Sequence, residues 1–174
     1  MDSSDTKKLL FICGGPGCGK TILASWIMAH LESQSKNVLY FPFSSTDPAR
    51  QSTRHLICTL VWQALLAVED DTSWNLVHDL MTKGPPTLSE LWAVFIGILK
   101  SHQGQIFLVI DGADECSELD ELLEARITQL LQAHSNLHIV LIGRQRILQH
   151  RQAFCSSKVL LVTPSNVEED IDAF

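Results

Sequence analysis

Short, continuous apolar runs alternate along this chain with stretches in which apolar residues recur at helical spacing. The runs are Leu9 to Cys13, Val38 to Phe43, Gln105 to Ile110, His138 to Ile142 and Lys158 to Val162. They are too short for helices and do not alternate apolar with polar, so they predict strands, the last three buried on both faces. Pro42 removes a ladder donor from the second run, which predicts a place at a sheet edge. Between the runs, Ile22 to Met28 opens a helix that extends to about Ser33. Ile57, Leu60, Val61, Ala64, Leu65 and Val68 then mark one face of another. A shorter helix is expected over Trp74 to Met81, stopped by Gly84-Pro85-Pro86. The next starts at the capping box Thr87-x-x-Glu90, with Leu88, Leu91, Trp92, Phe95 and Leu99 as its stripe. Leu119, Leu122, Leu123, Ile127, Leu130 and Leu131 mark a further helix. Strands that alternate with helices predict a parallel sheet covered on both sides.

The chain has 174 residues, enough for one domain with a sizeable core, and 45% of them are hydrophobic. The formal charge of −7 argues against nonspecific binding to nucleic acid, which needs basic surface to displace counterions. No apolar run approaches membrane-spanning length, and Met1 to Lys8 is polar rather than the start of a secretory signal. The five cysteines are irregularly spaced and include no C-x-x-C pair, so neither a disulfide framework nor a zinc site is expected, and the cytoplasm is the default compartment. Cys13, Cys58 and Cys155 read as small apolar residues. The seven histidines show no ligand spacing and read as surface residues, whereas Trp26, Trp62, Trp74 and Trp92 fall on helices and read as core.

The candidate chemistry begins at Gly14-Gly15-Pro16-Gly17-Cys18-Gly19-Lys20-Thr21, which fits G-x-x-x-x-G-K-[ST] between an expected strand and an expected helix. Glycines let backbone N–H groups approach phosphate oxygens, and the helix that follows points its N-terminal partial charge at the same anion. Cys18 and Ile22 need supply only backbone N–H groups. Lys20 adds a full charge near the β- and γ-phosphates, and the Thr21 hydroxyl can ligate Mg²⁺. The expected ligand is therefore a nucleoside triphosphate.

A second motif, Phe107-Leu108-Val109-Ile110-Asp111, is an apolar strand that ends in an acid and continues as Gly112-Ala113-Asp114-Glu115. Carboxylates gathered at a strand's C-terminal end call for a cation or an exposed rim, and sheets of this kind bind ligands at that edge. Asp111 is the candidate Mg²⁺ ligand, and Glu115 or Asp114 the candidate to orient the attacking water. The third motif, His138 to Arg144, ends a strand with a cation that could sense the γ-phosphate; otherwise Arg144, Arg146 and Arg151 belong to a solvated basic helix.

Together these three motifs resemble the NACHT domain of the STAND class of signalling NTPases, found in NOD-like receptors. The resemblance is to fungal members in particular, through Val38 to Ser44, Arg54 to Leu66 and Asn166 to Phe174. It implies a P-loop NTPase three-layer sandwich whose five-stranded parallel sheet has the order 5-1-4-3-2. It also implies Thr21 and Asp111 at Mg²⁺, Lys20 at the phosphates, Asp114 and Glu115 at the water, and Arg144 as the sensor. Nucleotide-controlled self-association in signalling is implied too, with fungal members linked to innate immunity and programmed cell death. In one respect this chain differs from the family pattern: Ile142-Gly143 stands where Thr-Ser or a similar pair usually precedes the sensor arginine.

The expected organisation is a disordered segment over 1–7, an NTPase core over 8–164, and the start of a helix over 165–174. Ser165-x-x-Glu168 caps that helix, and Val167, Ile171 and Phe174 begin its apolar stripe. A helix that has just begun to show a packing face reads as leading into a further helical domain, and the chain as part of a larger architecture. The leading functional expectation is slow, Mg²⁺-dependent hydrolysis of ATP by such a core. A nucleotide-dependent assembly module without catalysis is the alternative, and a small-molecule kinase a weaker one because no lid segment is seen. No N-K-x-D or L-S-G-G-Q stretch occurs, which disfavours a GTPase and an ABC-type ATPase.

Overall fold

All five apolar runs form strands of one sheet in a computed structural model that describes residues 8–67, 71–154 and 157–163. The strands are β1 (Leu9–Gly14), β2 (Asn37–Pro42), β3 (Ile106–Asp111), β4 (Leu137–Gly143) and β5 (Lys158–Val162). Every pairing is parallel, and the order is β2-β3-β4-β1-β5, which is the expected 5-1-4-3-2. Helices α1 (Lys20–Ser33), α2 (Thr53–Ala67), α3 (Asp71–Thr82), α4 (Leu88–Ser101), α5 (Leu119–Glu121) and α6 (Thr128–Ala133) connect them. The fold is an α/β P-loop NTPase sandwich. The segments expected over 1–7 and 165–174, together with Val68 and Cys155, lie outside the described residues.

The two faces of the sheet are unequally covered. Phe11, Leu39, Leu108, Ile110, Ile139 and Leu141 turn to the side of α2, α4 and the 119–133 helical run, where the main core lies. Ile12, Val109, Val140 and Ile142 turn the other way and meet Ala24, Leu23, Ile27 and Met28 of α1. Among the described residues, α1 alone packs on that side. The cause is topological. The β1-to-β2 crossover runs along the sheet in the direction opposite to the three that follow, and right-handed crossovers of opposite direction lie on opposite faces.

The two sheet edges differ as well. β2 carries Pro42 at an edge, as expected, and the Gln63 side chain of α2 completes the protection. Its carbonyl accepts from Tyr40 N (2.8 Å) and its amide donates to Tyr40 O (2.9 Å), standing in for a neighbouring strand. β5 corrects the expectation of a strand buried on both faces. Among the described residues it is the opposite edge, with Leu160 and Leu161 exposed, because there it pairs with β1 alone.

Other corrections concern helices and their aromatic residues. The helix expected over Leu119 to Leu131 is interrupted by a π-helical turn, Leu122–Ile127, that joins α5 to α6. Of the four tryptophans only Trp92 is core; Trp26, Trp62 and Trp74 are exposed. Trp26 stacks on His30 one turn along α1, and Trp62 meets Trp74 edge-on between α2 and α3. These pairings cover part of each ring, which residue spacing on a single helix does not reveal. His134 is buried rather than on the surface, where its Nδ1 accepts from Asn136 N. Cys58 is exposed, whereas Cys13 is buried as expected.

Candidate functional site

The loop between β1 and α1 is shaped by glycines for two different reasons. Gly14 closes β1 against β5, where a Cβ would lie 2.7 Å from Val162 O, so close strand approach excludes any side chain. Gly17 and Gly19 adopt left-handed backbone (φ 76° and 71°), which L-residues with a Cβ disfavour. A Cβ on either would meet nothing within 4 Å, so the space beside the loop is open. Gly15 and Thr21 are exposed. The Cys18 side chain turns inward, its Sγ 3.9 Å from Pro16 O, leaving only its backbone for a ligand. Ile22 is 76% exposed.

α1 begins with Gly19 as its N-cap and has neither a side-chain cap nor an acidic residue in its first turn. An uncapped helix N-terminus with no internal carboxylate suits an external anion. Lys20 Nζ donates to Gly14 O (3.0 Å) and Gly15 O (2.6 Å), folding its ammonium back over the loop. These features fit a phosphate group, and they arise from residues that the sequence reading had singled out.

The loop after β3 leaves from the same sheet edge, with β4 between it and β1. Asp111 ends β3, is buried, and accepts from Gly112 N at 2.9 Å through Oδ1. Gly112 is left-handed (φ 63°), and a Cβ there would lie 2.8 Å from Phe43 O, so both backbone and space require glycine. The chain then makes a 3-10 turn over Ala113–Glu115, and the two acids of that turn part company.

Asp114 points to the end of β4. Its Oδ1 accepts from Arg144 N (2.9 Å), and its Oδ2 lies 3.5 Å from Arg144 Nε. Glu115 points instead to the loop after β2, where its Oε2 accepts from Ser45 N (2.7 Å) and Ser45 Oγ (2.9 Å). The Ser45 N–H is the chief cause holding the Glu115 carboxyl below the usual glutamate value; burial opposes it, and the Ser45 hydroxyl, Arg144 and Lys20 assist. Nearby, burial and the Asp114 charge push the Cys13 thiol up to about 11, with Lys20 opposing. Cys13 is therefore a neutral thiol in the floor of the site, not a nucleophile.

Ser45 is the residue that sequence reading missed. It sits in a polar loop where Ser44, Ser45 and Ser52 look alike, and only the tertiary pairing to Glu115 distinguishes it. Among the described residues, no group of three or more His, Cys, Asp and Glu side chains converges as a metal site. A cation here would accordingly need phosphate oxygens as well as Thr21 and Asp111. No helix among the described residues is long and apolar enough to cross a membrane.

Comparison with known proteins bears on the family and the fold. The family described as nephrocystin 3, N-terminal, matches residues 1–144. The chain belongs to that family. Human nephrocystin-3 is 27% identical over 123 residues, covering 70% of this chain and 9% of its own length. The chain thus spans a small part of that relative's length. Among solved structures, Cdc6p from Pyrobaculum aerophilum superposes with a TM-score of 0.67 at 16% identity, covering 95% of this chain and 42% of that one. The Aeropyrum pernix ORC1 protein, solved in complex with DNA, gives a TM-score of 0.51 at 16% identity, covering 96% and 44%. At such identities the likeness concerns the fold.

Proposed function

We propose that this chain binds a nucleoside triphosphate, with ATP as the leading candidate, together with Mg²⁺ at the loop Gly14 to Thr21, and hydrolyses it slowly. The observation that carries the reading is the convergence of three loops at one sheet edge. Asp114 of the β3 loop accepts from Arg144 N at the end of β4, and the neighbouring Gly143 is in register with Cys13, where the β1 loop that carries Lys20 begins. Gly15, Gly17, Cys18, Gly19 and Ile22 would offer backbone N–H groups to the phosphates, and Lys20 would exchange its two carbonyl partners for phosphate oxygens. Thr21 and Asp111 would hold the Mg²⁺, which when bound neutralises charge between the β- and γ-phosphates. Asp114, Glu115 and Arg144 complete the proposed hydrolytic set, with a carboxylate orienting water and the arginine meeting the terminal phosphate.

The finer reading is a NACHT-type switch, in which nucleotide controls self-association through this core within a longer protein. Its support is the Asp111 to Glu115 pentad and the strand-end arginine. The proposed core spans 8–164, and 165–174 would lead toward a helical domain. A cytoplasmic setting fits the same reading. The negative balance of the chain supports a protein partner rather than nucleic acid or a membrane surface.

A second reading, nucleotide-dependent assembly without turnover, is favoured by one contact. Glu115 gives its Oε2 to Ser45 twice, which holds the candidate water-orienting acid against a neighbouring loop. Calorimetric titration with Mg-ATP tests the shared premise: the wild-type chain should bind, and Lys20→Ala should weaken binding by about 30-fold or more, as loss of charge-assisted hydrogen bonds implies. Equal binding by both would refute phosphate recognition at this loop. Phosphate release, measured beside molecular size with a non-hydrolysable analogue, separates the readings, since assembly without release favours the second.

A further inference from the structure

Asp114 and Gly143 occupy one another's space. A Cβ built on Gly143 would lie 2.6 Å from Asp114 Oδ1, 3.3 Å from Asp114 N and 3.3 Å from a methyl of the fully buried Ile147. Residue 143 has no room to give, because it sits in register with Cys13 at the buried end of the β1–β4 pair. The glycine at the end of β4 is therefore the condition for the Asp114 carboxylate to reach Arg144. The carboxylate takes the position that a side chain at 143 would fill.

The two partners are unequally anchored. The Asp114 side chain is 10% exposed and that of Arg144 is 59% exposed. Both Asp114 oxygens are engaged, Oδ1 by the Arg144 backbone N–H and Oδ2 by its Nε. Glu115 differs, because both of its hydrogen bonds fall on Oε2, and Oε1 takes none among the described residues.

We propose that Asp114 is a positioning residue rather than a water-orienting acid: it fixes Arg144 at the mouth of the phosphate loop and so sets the preference for nucleoside triphosphate over diphosphate. This rests on the nucleotide reading above. It divides the two adjacent acids by duty, Asp114 acting through Arg144 and Glu115 toward water. The guanidinium keeps its other nitrogens for a phosphate, since Asp114 engages only Nε and the backbone.

The test compares binding of ADP and a non-hydrolysable ATP analogue, each with Mg²⁺, by calorimetry on the whole chain. Arg144→Ala should abolish the preference for the triphosphate. Asp114→Asn should reduce it by roughly 3- to 10-fold, as expected for loss of one charge-assisted contact. The double variant should match Arg144→Ala alone, and Glu115→Gln should leave the preference unchanged while lowering phosphate release. An unmoved preference in Asp114→Asn, or a further drop in the Arg144→Ala background, overturns the proposal. A wild-type chain that binds neither nucleotide overturns the reading on which it rests, a distinguishable result. The steric half is checked without nucleotide. Gly143→Ser should lower the melting temperature and recover it when combined with Asp114→Ala; an equal loss in both backgrounds counts against the shared space.

Discussion

Glu115 lies seventy residues from Ser45 in sequence, and the pair shows what a single carboxylate gains from a backbone donor. Because Ser45 holds the Glu115 carboxyl below its ordinary value, the ionised form is favoured in the folded protein. The resulting stability is fully present above the usual glutamate range and is lost as pH falls through the lowered folded value. Ser45→Ala removes the hydroxyl donor and retains the N–H. The Glu115 titration should therefore move upward, yet stay below that of an unpaired glutamate. Carbon-13 NMR of the side-chain carboxyl across an acid titration reads this directly, and an unchanged titration would show that the hydroxyl contributes nothing. At this scale much of the candidate site was legible, since Gly14, Gly17 and Gly19 are required by close approach or left-handed backbone, and Lys20, Asp111 and Arg144 were proposed for reasons intrinsic to their residue types. What stayed hidden was the direction in which Asp114 and Glu115 point, because adjacent residues on a 3-10 turn diverge according to what the tertiary fold puts beside them.

Among the elements, β2 and β5 show how far a run of apolar residues can be read. Each run predicted a strand and each is one, because continuous β-branched and aliphatic residues suit a sheet flanked by neighbours. Pro42 marked β2 as an edge through a missing donor. β5 carried no such mark, and its composition matches that of a central strand, so its exposure follows from strand order alone. The Gln63 contact likewise required the fold, since a glutamine on a helix has no local reason to mimic a strand. Its removal should be measurable. In Gln63→Ala, Tyr40 N and O lose their partners at a partly buried edge, at a cost of about 1–2 kcal/mol. Urea denaturation should show a lower midpoint with an unchanged slope. A midpoint equal to wild type would mean that water replaces the amide without loss.

Over the whole molecule, the candidate site draws on loops from four of the five strands: the glycine loop after β1, Ser45 after β2, Asp111 to Glu115 after β3, and Gly143-Arg144 at the end of β4. A ligand that touches such a set binds the folded chain and not the unfolded one, so its affinity appears as stability. At a hundred times its dissociation constant, Mg-nucleotide should add about 2.7 kcal/mol. For a domain of this size that corresponds to a rise in melting temperature of about 5–10 °C. Lys20→Ala should melt near the wild-type apo temperature and show little or no rise with nucleotide. The dependence on protein concentration carries further information. Trp26 on the α1 side and the Trp62–Trp74 pair on the opposite side are exposed aromatic groups, and self-association would bury surface beyond that covered by nucleotide. If nucleotide drives assembly, the melting rise should grow with chain concentration at fixed saturation; a rise independent of concentration would assign the stabilisation to the monomeric site.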